Sequence, residues 1–220
     1  VRIRSGARLA GVAVLAAALA FGGAGCVPVD PDQPEATPTV NANVRQQLDQ
    51  LTVAKEAPMR GYSRSRFPHW RDTGKNCDVR DSVLKRDGEG IRLSGCNVVG
   101  GRWESAYDSK VLTDPIEVDI DHTVPLAAAW RSGAADWDDA KRGNFANDLT
   151  RPQLIAVSRT SNRAKGDQDP SRWKPPNRAY WCTYAESWVT VKHYWRLTVT
   201  TAEKAALADM LEDCTWANKR

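Results

Sequence analysis

Apolar and polar residues alternate over residues 118–122: Val118 and Ile120 fall on one face of an extended segment, Asp119 and Asp121 on the other, and His122 closes it. The alternation predicts a strand. Pro125 marks where the chain leaves the sheet, because proline cannot donate to a central ladder. A second short apolar run, residues 154–157, predicts another strand and leads into residues 158–167. There Ser158 or Thr160 can cap a short helix carrying Asn162 and Lys165 on one face. Strand, strand and helix make a ββα unit.

The same reasoning covers the flanks. Residues 77–86 predict a short helix with Val79 and Val83 inward, and residues 90–93 and 97–99, joined through Ser94-Gly95-Cys96, predict a hairpin that Arg102 and Trp103 continue. Residues 126–131 and 138–146 read as short helices separated by Gly133. Tyr180, Tyr184, Trp188, Val191 and Trp195 recur at spacings of four, four, three and four, the stripe of an amphipathic helix over residues 177–195. Such regularity suits a core better than a base-stacking platform. Trp173-Lys174-Pro175-Pro176 reads as a stiff turn covering the helix at 158–167, and Thr200 with Glu203 forms a capping box for a last helix reaching Leu211. Val44, Leu48 and Leu51 also recur at helical spacing. They sit in a stretch, residues 26–58, whose prolines 28, 31, 34, 38 and 58 otherwise read as an extended tether. The folded domain is expected to begin near Met59 and run to residue 220, with no internal repeat.

Composition narrows the possibilities. A chain of 220 residues with 41% hydrophobic content can bury one core. The net charge of +4 is carried by the expected domain, where 26 Lys and Arg in residues 59–220 face 22 Asp and Glu. This is mildly basic, without a basic block or tail, and is compatible with a polyanion partner. The segment from Tyr62 to Trp70 mixes arginines with aromatics; it could hold phosphates and stack on bases, or be a surface loop with arginines spread over buried rings.

Arg2, Arg4 and Arg8 precede an apolar run over residues 9–21 and the small residues 22–25, the order of an export signal over residues 1–25. The run is shorter than the ~20 apolar residues of a membrane span. Cys26 follows directly, so both lipidation there and simple cleavage stay open, and an extracellular or cell-surface location is expected. Outside the cytoplasm cysteines form disulfides. The other four fall into two local sets, favouring Cys77–Cys96 and Cys182–Cys214; without a CxxC pair, a zinc site ranks below these staples.

Residues 119–125 (Asp-Ile-Asp-His-Thr-Val-Pro), taken with Asn147 and with Ser161-Asn162-Arg163-Ala164-Lys165-Gly166, resemble the pattern of HNH nucleases of the ββα-metal fold, including the HNH domain of RNA-guided nucleases. From about Tyr62 to Cys214 the chain also resembles small exported bacterial HNH-family proteins related to the C-terminal nuclease domain of modification-dependent restriction enzymes. The resemblance implies a metal-dependent endonuclease hydrolysing phosphodiester bonds in nucleic acid, with DNA favoured through the family alone. It implies one divalent ion, Mg2+ or Mn2+, on Asp121 and Asn162, whose oxygens suit a hard cation. His122 would be the general base, Asn147 would orient it, and Lys165 and Arg163 would offset phosphate charge. Arg64 is a candidate substrate contact, and Asp119 would orient a ligand or a nearby arginine. The chain departs from the pattern in having only His69, His122 and His193, so three histidine ligands are not available, which favours Mg2+ over zinc or nickel. His69 and His193 read as packing or surface residues, His69 having a slightly better claim to a role through its basic and aromatic surroundings. The expectation is an α+β, disulfide-stapled monomer with an embedded ββα-metal core and C-terminal helices. A binding protein that keeps the fold without catalysis, or a hydrolase of another phosphodiester, are the alternatives.

Overall fold

A computed structural model of the chain describes residues 42–217. The expected export segment, Cys26 and the prolines up to residue 38 lie outside the described residues. Val44 and Leu48 occupy the buried face of helix α1 (Ala42–Gln50), and Leu51 follows them into the same core. Beyond it, the Ala54 N–H donates to the Val199 carbonyl at 2.9 Å and the Ala57 N–H to the Arg131 carbonyl at 2.8 Å. The boundary expected near Met59 therefore moves upstream. An apolar stripe of this kind must be covered, and the C-terminal helices cover it.

A short ribbon, β1 (Asp72–Gly74) with β2 (Cys77–Asp78), leads into helix α2 (Val79–Asp87). Asp78 and Asp81 exchange side-chain and backbone bonds in a capping box, which fixes where the helix starts. Val79, Val83 and Leu84 are buried against an antiparallel sheet of β3 (Glu89–Ser94), β4 (Asn97–Glu104) and β5 (Val111–Leu112). The β3–β4 turn is the two residues Gly95-Cys96, with Gly95 at φ +64°, which glycine adopts without strain. A disulfide joins Cys96 to Cys77 and ties hairpin to helix.

Strand β6 (Val118–His122) is followed by the helices α3 (Leu126–Arg131) and α4 (Asp139–Ala146). Strand β7 (Leu154–Ser158) returns antiparallel to β6, with Asp121 opposite Ile155 and His122 opposite Leu154. Val118, Ile120, Leu154 and Ala156 pack with Leu84 and Trp103 in one core cluster. The outer edge of β7 is closed by side chains: Arg86 donates to the Leu154 carbonyl at 2.6 Å, and Asp87 accepts from the Ala156 N–H at 2.8 Å. Ser158 caps helix α5 (Arg159–Lys165) by accepting from the Ser161 N–H, and Gly166 at φ +55° ends it. This is the ββα unit.

Arg178–Tyr180 forms a 3-10 turn, so helix α6 (Trp181–Trp195) starts later than its stripe suggests. Tyr184, Trp188, Val191 and Trp195 are buried, each contributing about 1.5–3 kcal/mol if fully withdrawn from water. Helix α7 (Thr201–Ala217) opens on the Thr200–Glu203 capping box and runs past Leu211. Its Cys214 is bonded to Cys182. Glu203 also accepts from Trp188 Nε1 and pairs with the buried Lys192 at 2.6 Å, so one carboxylate serves both helix start and helix packing. The domain is α+β, stapled by two disulfides around the ββα unit. No helix among the described residues is long and apolar enough to cross a membrane.

Candidate active site

His122 ends β6 with only 4% of its surface exposed. Its Nε2 lies 2.9 Å from the carbonyl of Ala146, at the end of α4. A carbonyl only accepts, so Nε2 carries the hydrogen and Nδ1 the lone pair. Trp70 stacks on the imidazole with centroids 5.5 Å apart and planes 15° from parallel, and His69 meets it edge-on at 6.0 Å. Burial lowers the His122 pKa to about 3; the Ala146 bond opposes this, while His69, Arg64 and Lys165 add to it. The ring is therefore neutral at physiological pH.

Next to His122 on β6, the Oδ2 of Asp121 accepts from Lys165 Nζ and from the Tyr107 hydroxyl, both at 2.6 Å. Lys165 also donates to the His122 carbonyl at 2.7 Å. Burial pushes the Asp121 carboxyl up and the Lys165 ammonium down, and each partner offsets the shift in the other. With opposite charges at hydrogen-bond distance and further donors and acceptors satisfied, we read the pair as ionised. Tyr107, held well above the usual tyrosine range by burial and then by the Asp121 charge, stays a donor.

Asn162 donates from Nδ2 to Asp119 Oδ2 at 3.0 Å, which fixes the orientation of its amide and leaves Oδ1 for another partner. Asp119 also faces Arg159 Nε at 3.9 Å. Asp121, His122 and Asn162 share the wall of a cleft of about 200 Å³ with Arg64, Tyr62 and Asp167. Because Lys165 and Tyr107 both bind Oδ2 of Asp121 and Asp119 binds Nδ2 of Asn162, these bonds leave the two Oδ1 atoms over, oxygens of the type a hard cation takes. Among the described residues, one cluster of three His, Cys, Asp or Glu side chains has ligand atoms within 4.8 Å, namely Cys182, Glu186 and Cys214. Its sulfurs are consumed by the disulfide.

The expected site residues are not all brought together. Lys165, expected beside the substrate phosphate, has no exposed surface and is turned inward onto Asp121, so it cannot contact a phosphate in the cleft. The reason is depth: on one face of α5, Asn162 is half-buried and lines the cleft, whereas Lys165 is fully buried. Arg163 is exposed on α5 and is not part of the cleft wall. The side chain of Asn147 bonds backbone groups and not the imidazole. It donates to the carbonyls of Pro68 and Gly143, both at 2.7 Å, and accepts from the Arg71 N–H at 2.9 Å, while the preceding residue's carbonyl holds His122. Reasoning from sequence overlooked Tyr107, which no periodicity marks, and Trp70, which the basic and aromatic composition of residues 62–70 signalled only weakly.

The family model described as the C-terminal domain of GmrSD restriction endonucleases matches residues 78–210, spanning β6, β7 and α5 and beginning after the segment that carries Arg64, His69 and Trp70. The chain is also similar to an uncharacterized secreted protein of Arthroderma benhamiae, 46% identical over 204 residues that cover 92% of this chain and 98% of that protein. No solved structure matches the chain. The family match covers most of the chain and all of the ββα unit, and so the chain belongs to the family of GmrSD restriction endonuclease C-terminal domains, an HNH-related nuclease family.

Proposed function

We propose that the chain is an exported, metal-dependent endonuclease that hydrolyses phosphodiester bonds in DNA. The observation that carries this reading is the meeting, on one cleft, of a neutral imidazole whose Nε2 is tied to Ala146 with the carboxylate of Asp121 and the amide of Asn162. His122 Nδ1 accepts the proton of the attacking water. Burial keeps the ring in its neutral, acceptor form at neutral pH and at the same time weakens it as a base, since proton-accepting power falls with pKa. Once the ring is protonated, its bond to the Ala146 carbonyl becomes charge-assisted and stronger. Trp70 holds the ring plane from one side.

Asp121 and Asn162 hold one divalent cation, Mg2+ or Mn2+. When bound, that ion supplies Lewis-acid stabilisation of charge on the phosphoryl and leaving oxygens. Lys165, Tyr107 and Asp119 act on these two residues by taking up Oδ2 of Asp121 and Nδ2 of Asn162, which leaves the Oδ1 atoms for the ion. Arg64 offers its guanidinium to a phosphate. Membership of a restriction-endonuclease domain family supports a nucleic-acid substrate, and the secreted relative, with the N-terminal charge and apolar pattern, supports export. A single lipid on Cys26 would give only reversible membrane attachment, and the protein would act as a monomer.

Plasmid DNA, single-stranded DNA and RNA incubated with the protein in Mg2+, Mn2+ or EDTA test the reading. Cleavage of plasmid DNA in either metal and none in EDTA is expected; undiminished cleavage in excess EDTA, or no cleavage with any metal, contradicts it.

A further inference from the structure

Residues 64–71 form a strap beside the cleft, and it is pinned at both ends. Arg142 Nε donates to the Arg66 carbonyl at 3.1 Å, and Asn147 holds the Pro68 carbonyl at 2.7 Å and the Arg71 N–H at 2.9 Å. Phe67 is fully buried between them. His69 rides on this fixed backbone. Its Nδ1 lies 2.6 Å from the Phe67 carbonyl, and its Nε2 lies 3.2 Å from Arg64 Nε. A carbonyl can only accept and a guanidinium can only donate, so the two contacts together require hydrogen on Nδ1 and a lone pair on Nε2. The imidazole thus bridges strap backbone and arginine in a single neutral tautomer.

The Arg64 end of this bridge is directed to a purpose. Only its Nε is used by His69, which leaves both Nη groups, and among the described residues Arg64 has no carboxylate partner. It lines the same cleft as Asp121, His122 and Asn162. A planar guanidinium held at Nε presents its two Nη groups as a fork that matches two oxygens of one phosphate. Left untethered, a long exposed arginine would lose rotamer entropy each time it bound.

We infer that His69 is a positioning residue that aims the Arg64 guanidinium at a backbone phosphate of the nucleic acid in the cleft. This rests on the nuclease reading. The role belongs to binding and not to the chemical step, so it separates from that of His122.

The test measures kcat and KM on a DNA duplex with Mg2+, and Kd for the same duplex in EDTA, for wild type, His69→Ala, His69→Asn, His69→Gln, Arg64→Ala and the double variant His69→Ala/Arg64→Ala. His69→Asn keeps a donor for the Phe67 carbonyl at the place of Nδ1, while its shorter side chain puts no acceptor at the place of Nε2, so it reports even where His69→Ala does not fold. Both should raise KM and Kd by roughly 10-fold, the size of one charge-assisted hydrogen bond, with kcat within about 2-fold. His69→Gln, whose amide oxygen can accept from Arg64 Nε, should recover most of the loss, and His69→Ala should add nothing on top of Arg64→Ala. Independent, multiplying losses, or a fall in kcat alone, overturn the inference. A wild-type chain that binds the duplex without cutting it overturns the nuclease reading while Kd still decides on His69. One that cuts but shows multiplying losses overturns only the role of His69, and one that neither binds nor cuts overturns both.

Discussion

Lys165 Nζ lies 2.6 Å from Asp121 Oδ2, and both side chains are withdrawn from solvent. A cation that the family resemblance would place on the substrate is thus paired with the carboxylate of Asp121. Removing one partner of such a pair strands the other charge in a low-dielectric site, at a cost of about 3–5 kcal/mol. Lys165→Met should therefore lower unfolding free energy in urea by that amount, whereas Arg163→Ala, on the exposed side of α5, should stay within about 0.5 kcal/mol. A Lys165→Met protein as stable as the parent but weakened only in DNA binding would contradict the buried pairing.

Burial of His122 makes stability depend on pH in a definite direction. The folded-state pKa is about 3 against an ordinary 6.5, so between these values the unfolded chain binds a proton that the folded chain refuses. Stability contributed at this position is complete above 6.5 and is lost as pH falls toward 3, by about 1.4 kcal/mol per pH unit. Urea titrations in EDTA at pH 7, 6 and 5 should show a steeper decline for wild type than for His122→Gln. Equal slopes would mean that the imidazole titrates normally and is open to solvent.

Asn147 acts on the strap and on its own helix. Its bonds to the Pro68 carbonyl and the Arg71 N–H hold the segment that carries Trp70 onto His122. Asn147→Ala should accelerate hydrogen exchange at the Arg71 amide and lower kcat, with the duplex still bound. Unchanged exchange at that amide would show that the strap is held by other contacts.

These residues also show how much the sequence disclosed. The ββα unit was legible because an alternating strand, a proline exit and a serine cap are local signals, and Val118, Asp119, Ile120, Ser158 and Gly166 each act where they stand. The pattern of Val44, Leu48 and Leu51 marked a helix but could not name its partners, so its place in the core was missed. Spacing put Asn162 and Lys165 on one face of α5; it carries no information on depth, and depth separates a residue that lines the cleft from one fully buried. Tyr107 reaches Asp121 across 14 residues and Asn147 reaches Pro68 across 79, contacts that only the folded chain defines.

The central claim is that His122 activates water while Asp121 and Asn162 hold the metal. Single-turnover cleavage of a DNA duplex in saturating Mg2+, with duplex binding followed in parallel, tests it most directly. His122→Ala should bind the duplex as the parent does and cleave about 10²–10⁴-fold more slowly, the usual contribution of a positioned base. Asn162→Ala should instead regain part of its activity in added Mn2+, since a weakened ligand set is an equilibrium that concentration can restore. Cleavage by His122→Ala at the parental rate would contradict the account and leave the cleft to a binding function.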